Sequence, residues 1–193
     1  MITQIRGKLV EKNPTYVVVD CAGVGYFLHI SLNTFSSLPE SEAVTLYTHL
    51  SIREDAHTLF GFITKTEREI FKLLISVSGV GPSIARTMLS SMTSAEIQQA
   101  IASENVAVIQ SVKGIGAKTA QRVIVDLKDK VMKTLDLDGI SVQSNNTNKE
   151  EALSALEVLG FPRKQSEKVI LNVLKENSEA SVENLIKLAL KNL

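Results

Sequence analysis

The sequence is poor in cysteine and in aromatic residues, and it has no long apolar run. Its 193 residues include one cysteine, no tryptophan, 3 tyrosines and 6 phenylalanines. The lone Cys21 cannot form an internal disulfide, and its position in a strand-like run is typical of a small buried side chain. No apolar run approaches the roughly 18–20 residues that a membrane span requires, and the N-terminus lacks the apolar core of a secretory signal. These absences predict a cytoplasmic protein without a membrane segment.

Metal-ligand spacing is missing as well. The three histidines are scattered along the chain, at His29, His49 and His57. We therefore expect no metal site and no other cofactor. Hydrophobic residues make up 44% of the chain, which is enough to form cores and argues against wholesale disorder.

The formal net charge is zero, but the charge is distributed unevenly. Residues 1–63 hold 4 basic and 6 acidic side chains, residues 64–133 hold 10 and 6, and residues 134–193 hold 7 and 9. The middle segment therefore carries a net charge of +4, and each flanking segment carries −2. A localised basic excess is the electrostatic signature of a surface that binds nucleic acid. We expect any such surface to lie in residues 64–133.

The first 63 residues have the pattern of short β-strands. The strand-like segments are rich in β-branched and aromatic residues, and turn-forming residues separate them. Five strands in about 60 residues suit a small closed barrel of the OB type, which also removes most exposed strand edges. The predicted strands are Ile5–Val10, Tyr16–Cys21, Tyr26–Ile30, Val44–Ile52 and Thr58–Phe62.

The pattern becomes helical at Thr64. Thr64 and Glu67 have the spacing of a capping box, in which a threonine and a glutamate each cap one backbone N–H at the start of a helix. Thr93 and Glu96 have the same spacing, and apolar residues at helical intervals follow both pairs. Further helices are predicted over 82–92, 105–111 and 117–133. We interpret residues 64–133 as a compact all-α domain.

A polar segment separates this domain from the C-terminal part of the chain. Residues 134–149 bury too little apolar surface to fold, so we predict a flexible linker there. Helical spacing returns over 150–193, where Gly160 is positioned to end the first of three helices and Ser181 to cap the last. A module of this size is close to the lower limit for an independent domain, and we interpret it as a tethered docking module. The predicted fold class is therefore α+β and multidomain.

One internal repeat decides the functional interpretation. Val77-Ser-Gly-Val-Gly-Pro-Ser-Ile-Ala85 recurs 35 residues later as Val112-Lys-Gly-Ile-Gly-Ala-Lys-Thr-Ala120, and each copy joins two predicted helices. The glycines permit a tight turn and let a phosphate approach the backbone without a Cβ in the way. The amides after the second glycine open a helix, where the helix dipole favours an anion. The pattern therefore predicts two helix–hairpin–helix units that bind a nucleic-acid backbone without reading its sequence.

The residues that begin each second helix complete the candidate site. Pro82 suits the first helical position, where no backbone N–H is needed. Lys118 and Arg122 lie one helical turn apart and can reach the same DNA backbone. The candidate DNA-binding residues are Gly79, Gly81, Pro82, Ser83, Gly114, Gly116, Ala117, Lys118, Thr119 and Arg122.

Other glycine motifs fit this segment poorly. A dinucleotide fingerprint would require glycine or alanine at Ile84 or Thr119 and a preceding strand. A P-loop would require Gly-Lys-Ser/Thr, which the chain lacks. The remaining alternative is a pair of ordinary helix–helix turns in which glycine only ends a helix. Two copies in register within the only basic segment favour the DNA-binding interpretation.

An acidic turn, Arg53-Glu54-Asp55-Ala56, lies between the last two predicted strands. It could be a solvated β-turn without a function. In a DNA-binding protein, adjacent carboxylates at a hairpin tip can instead repel phosphates and keep DNA strands apart. The local sequence leaves both interpretations open.

Six short motifs occur in order along essentially the whole chain. They are Met1-Ile-x-x-Ile-Arg-Gly7, Gly23-Val-Gly-Tyr26, Arg53-Glu-Asp-Ala56, Leu59-Phe-Gly-Phe62, Gly79-Val-Gly-Pro82, and Gly114-Ile-Gly-Ala-Lys-Thr-Ala120 followed by Arg122. Each motif alone is weak, but the ordered set is highly specific, and it resembles that of the RuvA family, bacterial proteins that bind the four-way Holliday junction.

The resemblance implies a non-enzymatic protein of DNA recombination and repair. It implies a flat homotetramer, alone or as two stacked tetramers, that holds four-way junction DNA open and planar, with Glu54 and Asp55 as an acidic pin at the crossover. The C-terminal module would dock on a RuvB-type hexameric AAA+ ATPase, which uses ATP and Mg²⁺ for branch migration. A RuvC-type junction resolvase would be a further partner. The candidate docking residues are Leu156, Leu159, Gly160 and Phe161.

The chain departs from the family pattern at two hairpin positions. Many members have a lysine at the position of Ser83 and another at that of Ala117. We therefore expect the first hairpin to rely more on backbone amides, and binding to depend less steeply on salt.

Two alternatives come from other functional classes. A helix–hairpin–helix glycosylase or nuclease would need a catalytic aspartate in a base-binding pocket, or clustered carboxylates for metal ions. Asp126 and Asp129 instead continue a surface-like helix, and Glu54 and Asp55 alone are too few. An OB-fold protein that binds single-stranded DNA would need aromatic side chains on its strand faces, and aromatics are scarce here.

Overall fold

A computed structural model of the protein describes residues 1–135, 144–177 and 180–192. The chain divides into two compact units, Met1–Gly139 and Ile140–Leu193. The first unit holds a β-barrel and a helical domain, and the described part of the second forms three helices. Within the described ranges, none of the helices combines the length and the apolar character that crossing a membrane requires.

Five strands close into a barrel in the order β1-β2-β3-β5-β4, where β3 and β5 pair in parallel and all other neighbours are antiparallel. Every second side chain of a strand points inward, so Val17 and Val19 of β2 are fully buried. This closed barrel confirms the predicted OB-type fold. The elements in chain order are β1 (Gln4–Asn13), β2 (Tyr16–Cys21), β3 (Val24–His29), α1 (Leu32–Ser36), β4 (Ala43–Ile52) and β5 (His57–Phe62).

Five further helices form the helical domain, as the sequence predicted. Phe71 is fully buried and lies between Phe60 and Phe62 of β5, with ring centroids 5.0 Å apart in both pairs. The core of the helical domain therefore continues into the wall of the barrel. The helices are α2 (Lys65–Ile75), α3 (Pro82–Ser91), α4 (Ser94–Ala102), α5 (Val106–Gln110) and α6 (Ala117–Leu135).

The two predicted capping boxes differ in the structure. At α4 the box is complete: Thr93 accepts a hydrogen bond from the backbone N–H of Glu96 at 3.2 Å, and the Glu96 carboxylate accepts one from the N–H of Thr93 at 2.7 Å. At α2 only Thr64 caps, accepting from the N–H of Glu67 at 3.0 Å. The predicted return bond from Glu67 is wrong, because its carboxylate is buried against hydroxyl donors near α1 instead.

The second unit consists of α7 (Ser144–Val158), α8 (Arg163–Glu176) and α9 (Val182–Asn192) around a small apolar core. Gly160 has a φ of +95° just past α7, and Ser181 accepts a hydrogen bond from the N–H of Asn184 at 3.4 Å, as expected for residues that end and cap helices. Of the predicted linker over 134–149, residues 136–143 lie outside the described residues. The rest is helical, since α6 ends at 135 and α7 begins at 144.

Candidate nucleic-acid interface

The two hairpins have the same backbone geometry. The first glycine of each has a left-handed φ, +94° at Gly79 and +96° at Gly114, where other residues are strained. The next residue of each hairpin donates its N–H to the valine carbonyl three residues earlier, at 3.0 Å from Val80 to Val77 and at 3.1 Å in the second hairpin. The sequence repeat is therefore a structural repeat, and each copy leads directly into a helix.

The second glycine of each hairpin directly precedes a helix, α3 after Gly81 and α6 after Gly116. Gly81 is the N-cap of α3, with φ −84° and ψ 168°, and no side chain caps the helix there. A Cβ added at Gly81 or at Gly116 would meet no atom within 4 Å. Packing therefore requires glycine at neither position, and at Gly81 the backbone conformation does not require it either. Because Gly81 has no side chain, a ligand can approach the uncapped backbone amides at the start of α3.

The hairpins contact each other reciprocally. A Cβ placed on Gly79 would lie 3.6 Å from Oγ1 of Thr119, and one placed on Gly114 would lie 3.9 Å from Cγ1 of Ile84. Ile84 and Thr119 are equivalent positions of the 35-residue repeat. Each hairpin loop thus lies against the helix start of the other, which is a local pseudo-two-fold arrangement. It brings together the two sets of residues that the sequence predicted to bind DNA.

The hairpins differ in charge. Three positions that carry hydroxyls in the first hairpin carry cations in the second: Ser78, Ser83 and Thr87 correspond to Lys113, Lys118 and Arg122. All three cations are exposed, and among the described residues neither lysine lies within ion-pair distance of a carboxylate. Lys113 was not among the predicted DNA-binding residues, although its place in the 35-residue repeat, equivalent to Ser78, could have identified it.

Several other basic side chains of the domain are bound within the protein. Lys72 and Arg68 both pair with Glu69, at 2.8 and 3.0 Å. Burial raises the pKa of Glu69, but the hydrogen bonds and charges of these two cations outweigh it, so its pKa lies below the ordinary value. Lys128 forms an ion pair with Glu104, whose pKa it lowers. The cations of the second hairpin are therefore better placed for an external anion than these are.

The acidic turn is the tip of the hairpin between β4 and β5. The N–H of Arg53 donates to the carbonyl of Ala56 at 2.9 Å, which closes a tight turn. Glu54 and Asp55 are exposed at this tip, and neither pairs with a cation among the residues that the structure describes. The tip therefore presents two adjacent, uncompensated carboxylates. It belongs to the barrel, whereas the hairpins belong to the helical domain of the same unit.

The candidate docking residues of the second unit separate into core and surface. Leu156 is fully buried, and its side chain lies on the face of α7 that forms the core. Phe161 is half-buried against the same core, and Gly160 is exposed. Leu159 is 58% exposed, and the neighbouring Val158, which was not among the predicted docking residues, is 88% exposed. The exposed apolar side chains at the end of α7 are thus Val158 and Leu159.

Two observations bear on the alternative enzyme classes. Asp126 and Asp129 are exposed on α6, as expected for a surface helix. Within the described ranges, no group of three or more histidine, cysteine, aspartate or glutamate residues could hold a metal ion.

The fold and the site define a tandem helix–hairpin–helix protein with an OB-type barrel. Three family models match in order: RuvA N terminal domain over residues 1–61, SAM-like Helix-hairpin-helix tandem over residues 71–129, and RuvA, C-terminal domain over residues 147–193. The chain is 64% identical to the Holliday junction branch migration complex subunit RuvA of Christiangramia forsetii and 61% identical to that of Flavobacterium psychrophilum. It is 50% identical to the protein of the same name from Bacteroides thetaiotaomicron, and each match covers 100% of both chains. The chain therefore belongs to the RuvA family.

Proposed function

We propose that the protein binds four-way DNA junctions, without reading base sequence, as the non-catalytic subunit of a branch migration complex. Full-length relatives that are called Holliday junction branch migration complex subunit RuvA support this function. The observation that carries the proposal is the reciprocal pair of hairpins, each with a glycine before its second helix that packing does not require, and with no side-chain cap at the start of α3. The complex would act in recombination and repair of DNA in the cytoplasm.

The hairpins bind phosphates through the backbone. Amides at the starts of α3 and α6 would donate to phosphate oxygens, and the positive ends of the helix dipoles add to the attraction. Lys118 and Arg122 add charge on the second hairpin. Since the two strands of a duplex are themselves related by local two-fold axes, a pseudo-two-fold pair of hairpins can contact both strands equivalently. Such contacts position the duplex but carry no sequence information.

The acidic turn would act where the strands exchange. In a homotetramer, four copies of Glu54 and Asp55 would surround the crossover, repel the phosphates and hold the arms open and planar. Unit charges at the surface interact strongly only within a Debye length, about 8–10 Å at physiological salt, so this repulsion acts on the crossover rather than along the arms. One tetramer, or two stacked on the same junction, would engage all four arms.

The second unit would recruit the motor. Its exposed apolar pair, Val158 and Leu159, lies next to Gly160 and Phe161 at the end of α7, and burial of apolar surface is the usual basis of such docking. The partner would be a RuvB-type AAA+ ATPase that uses ATP and Mg²⁺ and that this protein regulates. A RuvC-type resolvase would act on the same junction.

A binding assay tests the proposal directly. Gel shifts would compare a mobile four-way junction, the linear duplex of one arm and single-stranded DNA, each in two unrelated sequences. We expect a clear preference for the junction in both sequences, and ATP-dependent branch migration when the cognate ATPase is added. Lys118→Ala should weaken binding to both sequences by the same factor. A preference for single-stranded DNA, a strong effect of sequence, or Mg²⁺-dependent cutting that Asp55→Asn abolishes would contradict the proposal.

A further inference from the structure

The barrel holds the C-terminal end of α3 through α1. Nδ2 of Asn33 donates hydrogen bonds to the carbonyl oxygens of Leu89 and Met92, at 2.7 and 2.9 Å. The N–H of Leu32 donates to Oγ of Ser90 at 3.1 Å. The last carbonyls of a helix have no partner within the helix, so α1 supplies the partners that α3 would otherwise lack.

A buried carboxylate attaches the start of α2 to the same short helix. Glu67 is only 4% exposed and accepts hydrogen bonds from the hydroxyls of Ser31 and Thr34, each at 2.6 Å, and from the N–H of Ile63 at 3.3 Å. A carboxylate removed from water requires such donors, and bonds to an ionised acceptor are stronger than bonds between neutral groups. The contact between α1 and α2 therefore has a defined geometry.

Arg86, in the middle of α3, makes a third contact with the barrel. Its Nη1 donates to the carbonyl oxygen of Thr15 at 3.3 Å and contacts Nδ1 of His29 at 3.1 Å. The barrel thus holds α3 at its middle and at its C-terminal end, while the N-terminus of α3 is the anion site of the first hairpin. We call these five side chains the interdomain brace: Ser31, Asn33, Thr34, Glu67 and Arg86.

The second hairpin makes its contacts within the helical domain. Its helix α6 packs against α2, α4 and α5. Arg122 donates to the carbonyl oxygen of Ser78, and Lys128 pairs with Glu104 of the loop before α5. The brace therefore holds the first hairpin, which is uncharged and has serines at positions 78 and 83. The second hairpin, which carries the cations, is held by contacts within the helical domain.

We propose that the interdomain brace determines selectivity for junctions over linear duplex, whereas the cations of the second hairpin determine affinity for both; this inference rests on the proposed junction binding. A linear duplex needs only the hairpins. A junction also needs the hairpins at a set position relative to the barrel, because several arms that meet at one crossover must be contacted at once. Several arms can be held together only when the geometry allows simultaneous contact, and that linked contact is the source of the additional affinity. The brace residues are thus positioning residues that touch no DNA.

Two brace variants and two comparison variants of the full chain test this inference. Asn33→Ala removes both bonds to the end of α3, and Glu67→Gln removes the buried charge with little change in size. Thr93→Ala removes the cap of α4 next to Met92 but removes none of the brace hydrogen bonds, so it controls for a loss of local stability that leaves the brace in place. Lys118→Ala removes a hairpin cation. Dissociation constants for a four-way junction and for the linear duplex of one arm would be measured over a range of salt concentrations.

The two classes of variant should respond differently. For Asn33→Ala and Glu67→Gln we expect the junction preference to fall by about tenfold, within the roughly 10²–10⁴-fold gain that linked binding sites provide, while duplex affinity and its salt slope stay unchanged. Lys118→Ala should weaken binding to both DNAs equally and lower the salt slope by about 0.9, the effect of one phosphate contact. Thr93→Ala should change neither.

Other outcomes would overturn the inference. An unchanged junction preference in Asn33→Ala would exclude the brace as the selectivity element, and an equal loss of duplex and junction affinity would make it merely structural. If Thr93→Ala lost as much of the junction preference as Asn33→Ala, the brace would likewise have a merely structural role. If the unaltered protein itself showed no junction preference, the proposed function would fail first, so the two failures are distinguishable.

Discussion

Nη1 of Arg86 lies 3.1 Å from Nδ1 of His29, across the contact between α3 and the barrel. A guanidinium can only donate, so Nδ1 must accept and the imidazole is neutral in this contact. Burial lowers the pKa of His29, and the charge of Arg86 lowers it further. The same bond that helps to position the first hairpin therefore depends on an unprotonated histidine.

This relationship predicts a pH-dependent stability. Because the pKa of His29 in the folded protein lies below the ordinary value of 6.5, the unfolded chain binds more protons, and unfolding becomes easier in acid. The contribution of His29 is fully present above pH 6.5 and is lost as the pH falls through the folded pKa. His29→Gln, which can still accept from Arg86 but does not titrate, should flatten this part of the dependence. Urea unfolding from about pH 8 to about pH 5 would measure it.

A second histidine, His49, also makes stability depend on pH, which determines how large the effect of His29→Gln can be. Burial lowers the pKa of His49, as do the charges of Lys72 and Arg68, so His49 contributes in the same direction. His29→Gln should therefore reduce the pH dependence without abolishing it. A slope identical to that of the unaltered protein would contradict the role assigned to His29.

Because no side chain caps α3 at Gly81, we expect a substitution at this position to lower DNA affinity without lowering stability. In Gly81→Ser the hydroxyl can cap α3, so stability should be unchanged or should rise by less than about 1 kcal/mol. The hydroxyl would also occupy an amide that the phosphate needs, so DNA affinity should fall about tenfold, as expected for one lost hydrogen bond to a charged group. Thermal unfolding and gel shifts on the same samples would measure both effects.

Gly79 provides the matched control. Its φ of +94° strains any other residue, so Gly79→Ser should destabilise the protein by about 1–2 kcal/mol. If Gly81→Ser bound DNA as tightly as the unaltered protein, the amides after Gly81 would not be the phosphate site.

The neutral first hairpin predicts a gain of affinity on adding charge. Ser83→Lys places a cation at the position equivalent to Lys118, so binding to junction and duplex should tighten, and the slope of log K against log salt should steepen by about 0.9. Ser91→Lys adds the same charge at the other end of α3 and should leave the slope unchanged. Fluorescence anisotropy titrations at several salt concentrations would measure the slopes, and an equal steepening in both variants would place the DNA elsewhere.

The acidic turn predicts an effect that is specific to junctions. Glu54 and Asp55 are exposed and unpaired among the described residues, so the double variant Glu54→Gln, Asp55→Asn should keep its stability within about 0.5 kcal/mol. Junction affinity should rise roughly fivefold at low salt, since repulsion of two unit charges about 4 Å apart in water is about 1 kcal/mol, and the gain should shrink in high salt. Duplex affinity should not change. A loss of junction affinity would instead mean that these carboxylates accept contacts from the bound complex.

Several elements could be predicted from the sequence because their causes are local. Alternating β-branched residues predicted the five strands, and the 35-residue repeat predicted both hairpins. The helix α1 escaped prediction because its five residues are too few to show a helical period. Leu156 was assigned to a docking surface because a resemblance along the chain cannot tell which face of α7 is buried.

The sequence by itself determined the two hairpins and the position of the charge. A left-handed glycine, a proline at the first helical position and an uncapped helix start depend on a few adjacent residues, so neighbouring side chains are sufficient to specify them. Only the tertiary structure decided the hydrogen-bond partners of Glu67. From the sequence, its carboxylate was predicted to cap the N–H of Thr64 at the start of its own helix. Ser31 is 36 residues away from Glu67, and its hydroxyl competes successfully because folding buries both groups and leaves no water to replace the bond. The bond between Ser31 and Glu67 is part of the interdomain brace that attaches the neutral hairpin to the barrel. No local sequence pattern predicts this attachment.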